Sequence, residues 1–460
     1  MKFHIKTLGC KINQFDAAAL GESLSARGVQ AAASPDEADV QVIFTCAVTG
    51  KSDYQCRQEI RRAVKARNPG GKVLVTGCYA QVAPDVIKEI GGVDAVVGND
   101  RRETIPDIIG RLTGGSCLSL RAGAPAIAGR TKQSQVLKAE IAASPLAPRN
   151  DKQGYSDVGV LPSNPMRLEP RSRAFLKVQE GCDSFCSYCI VPYARGRSRS
   201  SKPENVLAKA DELIARGYYE IVLTGVHLGA YGKDSGDLRL SGLVSKLLEI
   251  PGLGRLRLSS VEPMEIDDAL IELIGHEKLC RHFHVPLQSA SDKVLASMGR
   301  GYAWEDYLAI AEKIDAAAPG ACIGADVIVG YPAEDEGAFE ETLRRVDDSP
   351  INYLHVFSYS PRKGTRAYAM GDHVPGDVKR ERNESLRALG GSKNLDFRLS
   401  LVGKTMTVVA EEKCGEFSGL TDNYVRVAFD GRNASPGRPI DVKILGADRK
   451  STTGVIQSGE

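Results

Sequence analysis

Nowhere does the sequence run apolar for the roughly 18 residues that a membrane-spanning helix needs. Nor does "MKFHIKTLGCKINQ" hold an apolar region followed by a small-residue cleavage site. These absences predict a cytoplasmic protein that takes no membrane partner. Charge of one sign is lacking too. Lys and Arg number 60 against 58 Asp and Glu, a formal +2, so any nucleic-acid site must rest on a local patch. Aromatic residues make up only 6% of the chain, and the single tryptophan, Trp304, lies on a helical stretch without chemical signal. No repeat period is present. What remains, 42% hydrophobic and 26% charged residues, is the composition of an ordinary soluble α/β protein. At 460 residues the chain exceeds one core, and roughly three domains are expected.

Residues 1–120 alternate short apolar strands ("KFHIKTLG", "ADVQVIFTC", "KVLVTGCYA", "AVVGN") with amphipathic helices, which predicts βαβ units on a mainly parallel sheet. Residues 121–172, rich in Ala, Pro and Ser with few bulky side chains, read as a linker. From 173 to 395 six strand candidates return between helices: "AFLKVQ", "EIVLTGV", "RLRLSSV", "HFHVPLQ", "ACIGADVIVG" and "NYLHVFSYS". They fit a partial (β/α)6 barrel with its chemistry at the carboxyl ends of the strands. After a basic helical stretch, residues 396–460 hold five short strands punctuated by glycine and polar turns, the pattern of a small all-β barrel.

Eleven cysteines, an odd number spread over a long chain, argue against a disulfide framework and for thiols as ligands or core residues. Cys182, Cys186 and Cys189 form C-x3-C-x2-C with no fourth cysteine nearby. Three thiolates in one loop can hold three irons of a 4Fe-4S cubane and leave the fourth open to a small molecule. A structural zinc would want a fourth ligand. Tyr193 cannot serve, and only His227 or His284 could reach the loop through the fold. Cys10, Cys46 and Cys78 form a second set of three, each at or just beyond a strand end. The carboxyl ends of parallel strands share one edge, so the three can converge. Cys56, Cys117, Cys280, Cys322 and Cys414 match no ligand pattern and are expected as small core or half-buried residues.

The loop "CSYCIVPYARGRSRS", with an aromatic residue, Tyr188, before its last cysteine, resembles that of radical S-adenosylmethionine (SAM) enzymes. The chain as a whole, the segment 121–172 apart, resembles the methylthiotransferases of that superfamily. This resemblance implies a 4Fe-4S cluster on Cys182, Cys186 and Cys189 whose open iron SAM chelates, with reductive cleavage to a 5'-deoxyadenosyl radical. It implies a second 4Fe-4S cluster on Cys10, Cys46 and Cys78, and an RNA-binding TRAM barrel at the C-terminus. One SAM would supply a methyl group to a sulfur held on the auxiliary cluster, the other the radical that removes hydrogen from C2 of an adenine. An electron donor such as flavodoxin or ferredoxin and a sulfur source are implied with them. "TLGCKINQ", "GCYAQ" and "CSYCIVPYARGRSRS" are most similar to the branch acting on tRNA at N6-threonylcarbamoyladenosine (t6A), immediately 3' of the anticodon.

By the same resemblance, Thr224 and Gly225 in "VLTGVHLGAYG" lie near the methionine part of SAM, although such a glycine loop is often only a turn. Ser259, Glu262, Gln288 and Ser289 either hold the SAM carboxylate or ribose or cap the helix that follows. Gly330 and Pro332 resemble an adenine-binding backbone segment or form an ordinary turn, and Asp326 is expected as a buried polar residue. Tyr188 is expected to pack against the adenine side of the site. Arg195, Arg197, Arg199 and Lys202, just past the cysteine loop, are placed to hold tRNA phosphates or form a solvated face. "RRAVKAR" (61–67) reads as solvated. Phe417 and Tyr424 are base-stacking candidates, although core is the commoner role for such aromatics.

Other readings are an enzyme acting on isopentenyladenosine tRNA or on a ribosomal protein. A reading of another class is a non-catalytic iron-sulfur RNA-binding protein, its clusters acting as folding staples. Detection of 5'-deoxyadenosine would exclude the last.

Overall fold

The computed structural model describes residues 1–114, 172–236, 238–371, 373–432 and 434–457. The segment 121–171 of the expected linker and Cys117 lie outside the described residues. β1 (Lys2–Thr7), β2 (Gln30–Ala31), β3 (Val40–Thr45), β4 (Lys72–Gly77) and β5 (Ala95–Val97) form a parallel sheet in the order β2-β1-β3-β4-β5. All six residues of β3, "VQVIFT", are buried, as expected of a parallel strand covered on both faces. Val40, Val42 and Phe44 enter one core; Ile43 enters the other, with Ile60 of helix Gly50–Ala66. Gly77 ends β4 at φ +99°, where a Cβ would lie 2.5 Å from the Thr45 carbonyl oxygen. Only glycine lets the chain turn there and start a helix at Cys78.

The expected six strands are all present: β6 (Arg173–Glu180), β8 (Glu220–Gly225), β9 (Arg255–Leu258), β10 (His282–His284), β11 (Cys322–Val329) and β12 (Tyr353–Ser358). A short antiparallel strand, β7 (Arg199–Ser200), edges β6. β6-β8-β9 and β10-β11-β12 are two parallel sheets that meet at a bridge between Leu256 and Leu279, giving an open barrel. Alternation divides each strand. Leu176, Val178, Leu223, Leu256, Phe283, Val327 and Val356 face the helices and join one core. The alternate, inner positions carry Lys177, Glu220, Arg255, Arg257, His282, His284, Asp326, Tyr353 and His355. Closed barrels of this type fill the interior with branched apolar side chains; this interior is polar.

β13 (Thr405–Lys413), β14 (Glu416–Thr421), β15 (Arg426–Phe429), β16 (Pro439–Ala447) and β17 (Thr452–Ile456) close into the small C-terminal barrel expected of a TRAM domain. Its β14–β15 turn plugs the amino-terminal mouth of the large barrel. Arg257 donates to the carbonyls of Asp422 (2.8 Å) and Thr421 (2.9 Å), and Arg255 to that of Leu420 (2.6 Å). Both guanidiniums also donate to Glu220, which is 0% exposed. Tyr424 stacks on His282 with ring centroids 4.0 Å apart, and Phe417 packs against the small core. Cys56, Cys280 and Cys322 are buried, whereas Cys414 sits exposed in the β13–β14 turn. Arg61, Arg62, Lys65 and Arg67 are exposed, as expected. Among the described residues no helix is long and apolar enough to cross a membrane.

Candidate functional site

The C-x3-C-x2-C loop leaves β6 through Gly181 and is pinned by backbone bonds. The Cys182 N–H donates to Gly196 (3.1 Å), that of Ser187 to Met298 (2.8 Å) and that of Cys189 to Cys186 (2.9 Å). The Cys182 sulfur lies 3.3 Å from His227 Nδ1, and His227 Nε2 lies 2.8 Å from the Glu265 carboxylate. Burial disfavours the imidazolium, yet Cys182 and Glu265 overcome it and push His227 up to about 10. Burial likewise raises Cys182, and His227 overcomes that and lowers its thiol below the usual value. The pair therefore favours thiolate, the form that binds iron. Cys189 is pushed up to about 12, chiefly by burial. Arg300 donates to the Cys186 sulfur at 3.6 Å and forms an ion pair with Glu262. Tyr188 packs beside Met298 and Tyr331.

The second triplet converges as the topology requires. Cys10 caps the first helix, Lys11–Ala26; Cys46 follows β3, and Cys78 follows β4. Gly9, at φ +102°, would place a Cβ 2.7 Å from that of Cys46, so glycine permits the first loop to lie against the second. Burial raises the thiols of Cys46, to about 11, and of Cys78, with Cys10 adding to both. Among the described residues neither triplet, alone or with His227, gathers its ligand atoms within 4.8 Å of one another. A tetrahedral zinc, with Zn–S about 2.3 Å, would hold its sulfurs about 3.8 Å apart. The all-thiolate donors of the two triplets have the chemistry that iron-sulfur clusters take.

Arg195 corrects an expectation. Foreseen on a phosphate-binding or solvated face, it is 6% exposed and turned inward toward Cys78. Its Nε donates to the Cys78 sulfur (3.3 Å), Nη1 to Glu180 (2.8 Å) and Asp16 (3.2 Å), and Nη2 to Asn13 Oδ1 (2.6 Å). Lys177 donates to the same two carboxylates, at 2.7 Å to Asp16 and 3.0 Å to Glu180, and Arg102 also pairs with both. Burial raises the pKa of Asp16 and Glu180, but these three cations hold both carboxylates below their ordinary values. The direction of Arg195 is set by the short helix Val191–Arg195 and Gly196 at φ +75°, which turns the chain back. Arg197 and Lys202 are exposed and Arg199 is half-buried on β7. Arg197 pairs with Asp183 at 3.2 Å, and its guanidinium carbon lies 4.9 Å from the Phe185 ring centroid. Arg199 donates to the Arg197 carbonyl at 3.1 Å.

The remaining site residues lie along the carboxyl rim of β8 to β11. Thr224 is buried at the end of β8, and a Cβ on Gly225 would meet Gln179 and Leu228 at 3.0 Å. Among the described residues Ser259 Oγ is buried without a hydrogen-bond partner, the state of a group awaiting a polar ligand. Gln288 sits at φ +72° and bridges to Val327. Gly330, also at φ +72°, donates its N–H to Glu334 (2.7 Å), and Pro332 follows half-buried. Ser289 departs from the rim: its Oγ accepts from the Ser291 N–H (3.2 Å) and meets Thr342 Oγ1 (3.2 Å), shaping the helix entry. Asp326, expected buried, is partly exposed on the inner wall. Sequence reading missed Arg300, Glu265 and the His227 pairing. His227 and Arg300 reach the cysteine loop from other loops, and Glu265 acts on it through His227, so no local spacing marks them.

An open barrel of six parallel strands, the first running into this cysteine loop, defines a radical SAM protein. Residues 176–346 match the Radical SAM superfamily, and residues 2–98 match the family described as Uncharacterized protein family UPF0004. The chain is 38% identical to the threonylcarbamoyladenosine tRNA methylthiotransferase MtaB of Bacillus subtilis, over 97% of this chain and 93% of that one. It is 37% identical to the protein of that name from Aquifex aeolicus, over 94% and 97%. The tRNA-2-methylthio-N(6)-dimethylallyladenosine synthase of Dictyoglomus thermophilum is 32% identical, over 99% and 98%. The solved radical SAM methyltransferase TsrM of Kitasatospora setae shares the fold, with a TM-score of 0.58 at 15% identity over 80% of this chain and 77% of that one. The chain belongs to the radical SAM methylthiotransferase family.

Proposed function

We propose that this enzyme converts t6A at position 37 of tRNA to its 2-methylthio derivative, using two 4Fe-4S clusters and two molecules of SAM. The observation that carries the reading is the second cysteine triplet, one member of which, Cys78, accepts a hydrogen bond from Arg195 of the segment that follows the first triplet. When bound, the clusters and SAM supply the radical, the methyl group and the site that carries sulfur. Cys182, Cys186 and Cys189 hold one cluster, and Cys10, Cys46 and Cys78 the other. His227 keeps Cys182 in its thiolate form, and Arg195 donates to Cys78. Thr224, Gly225, Ser259, Glu262, Gln288, Gly330 and Pro332 line the SAM rim, with Arg300 fixing Glu262. The plugged barrel mouth leaves the carboxyl rim as the route by which the adenine enters. Arg197 and Lys202, exposed beside that rim, meet the tRNA backbone. Electrons come from a donor such as flavodoxin or ferredoxin, and sulfur from a separate source.

The likeness to the B. subtilis and A. aeolicus proteins supports t6A as substrate; the D. thermophilum relative supports isopentenyladenosine as the runner-up. Nucleoside mass spectrometry of tRNA from a deletion strain, with and without the gene restored, separates them. Loss of the methylthio mark from t6A alone is the expected result. Loss from isopentenyladenosine, or from a ribosomal protein instead, would replace the substrate.

A further inference from the structure

One cluster on the inner wall of the large barrel has no part in the chemistry above. His284 on β10, Asp326 on β11 and His355 on β12 bring three ligand atoms within 4.8 Å of one another, the one such set among the described residues. Strand register makes it: His284 lies opposite Gly324 and Asp326 opposite His355, all on the inner face. His284 Nε2 is 2.9 Å and His355 Nδ1 3.3 Å from the same Asp326 oxygen. A tetrahedral ion with metal–nitrogen and metal–oxygen bonds of about 2.0–2.1 Å separates its ligand atoms by about 3.3 Å. The three side chains thus stand close to ligand spacing before any ion enters.

The surroundings are built for the purpose. His284 Nδ1 lies 2.9 Å from the Tyr353 hydroxyl, which also contacts His282 Nε2 at 2.8 Å. A partner on the second ring nitrogen orients a histidine ligand and fixes its tautomer. Gly324 makes room for that partner, because a Cβ there would lie 2.0 Å from the Tyr353 ring. The His284 side chain is 8% exposed and anchored, whereas Asp326 is 25% and His355 54% exposed, so the set opens to the lumen. Two imidazoles and a carboxylate select a borderline divalent ion, while the all-cysteine triplets select iron-sulfur clusters.

We propose that His284, Asp326 and His355 bind a divalent first-row cation, zinc foremost, leaving coordination positions open to water or a ligand oxygen in the barrel lumen. The inference does not depend on which adenosine is the substrate. The test is metal analysis of the anaerobically loaded holoenzyme after dialysis against zinc chloride and then against metal-free buffer. The wild type should keep one zinc per chain with its iron unchanged. Zinc affinity should fall at least about tenfold in His355→Ala and Asp326→Asn, and about tenfold in Tyr353→Phe, with iron constant in each. His355 is half exposed, so its alanine variant decides the matter even where Asp326→Asn does not fold. A wild type that keeps no more zinc than His355→Ala, or zinc that enters only as iron leaves, overturns the assignment.

Discussion

Arg195 Nε lies 3.3 Å from the sulfur of Cys78, so the chain that follows one cysteine triplet donates a charged hydrogen bond to a member of the other. The same guanidinium closes a buried network with Asp16 and Glu180. The N-terminal domain, through Asp16, and the large barrel are therefore tied together by this buried network.

Removing that cation leaves two carboxylates short of a buried partner. Such a loss costs about 3–5 kcal/mol. Arg195→Ala should lower the denaturant midpoint of the anaerobically purified protein accordingly, and Arg195→Lys by less. An unshifted midpoint in Arg195→Ala would show that Lys177 and Arg102 carry the network alone.

Acid should loosen the same joint. Asp16 and Glu180 are depressed in the fold from ordinary values of 3.8 and 4.5. A depressed carboxylate contributes stability that is complete above its unfolded pKa and fades as pH falls through the folded one. Thermal midpoints of the wild type should therefore drop steeply below about pH 4.5, and those of Glu180→Gln less steeply. Parallel curves would remove Glu180 from the account.

Ser259 offers a cleaner test of the proposed SAM rim, because among the described residues its Oγ has no partner to lose. Ser259→Ala should leave the melting temperature unchanged and weaken SAM binding about fivefold, the equivalent of one hydrogen bond near 1 kcal/mol. Calorimetric titration that finds equal affinity would take Ser259 off the rim.

Much of this was legible in the chain before folding. "VQVIFT" and "HFHVPLQ" declare their strands, and strand ends at Cys10, Cys46 and Cys78 already imply a shared edge. Direction was harder to read. "ARGRSRS" is a basic run, and only the turn at Gly196 decides that Arg195 points inward while Arg197 points out. His227 and Arg300 come to the cysteine loop from separate loops, and Glu265 backs His227, through contacts that no spacing encodes. The plug of Asp422 and Tyr424 in the barrel mouth depends on how two domains dock. The inner layer of His284, Asp326 and His355 needed strand register, although the polar-apolar-polar order of "HFH" announces one inward face.

The most direct measurement is an anaerobic reaction of reconstituted protein, SAM, sulfide, reductant and t6A-containing tRNA, followed by nucleoside mass spectrometry and iron analysis. It should be run on the wild type and on the variant with Cys10, Cys46 and Cys78 changed to alanine. The wild type should hold about eight irons and form 2-methylthio-t6A, and the variant should hold about four and still release 5'-deoxyadenosine without methylthio product. A variant that still methylthiolates t6A, or a wild type with only four irons, would contradict the two-cluster account.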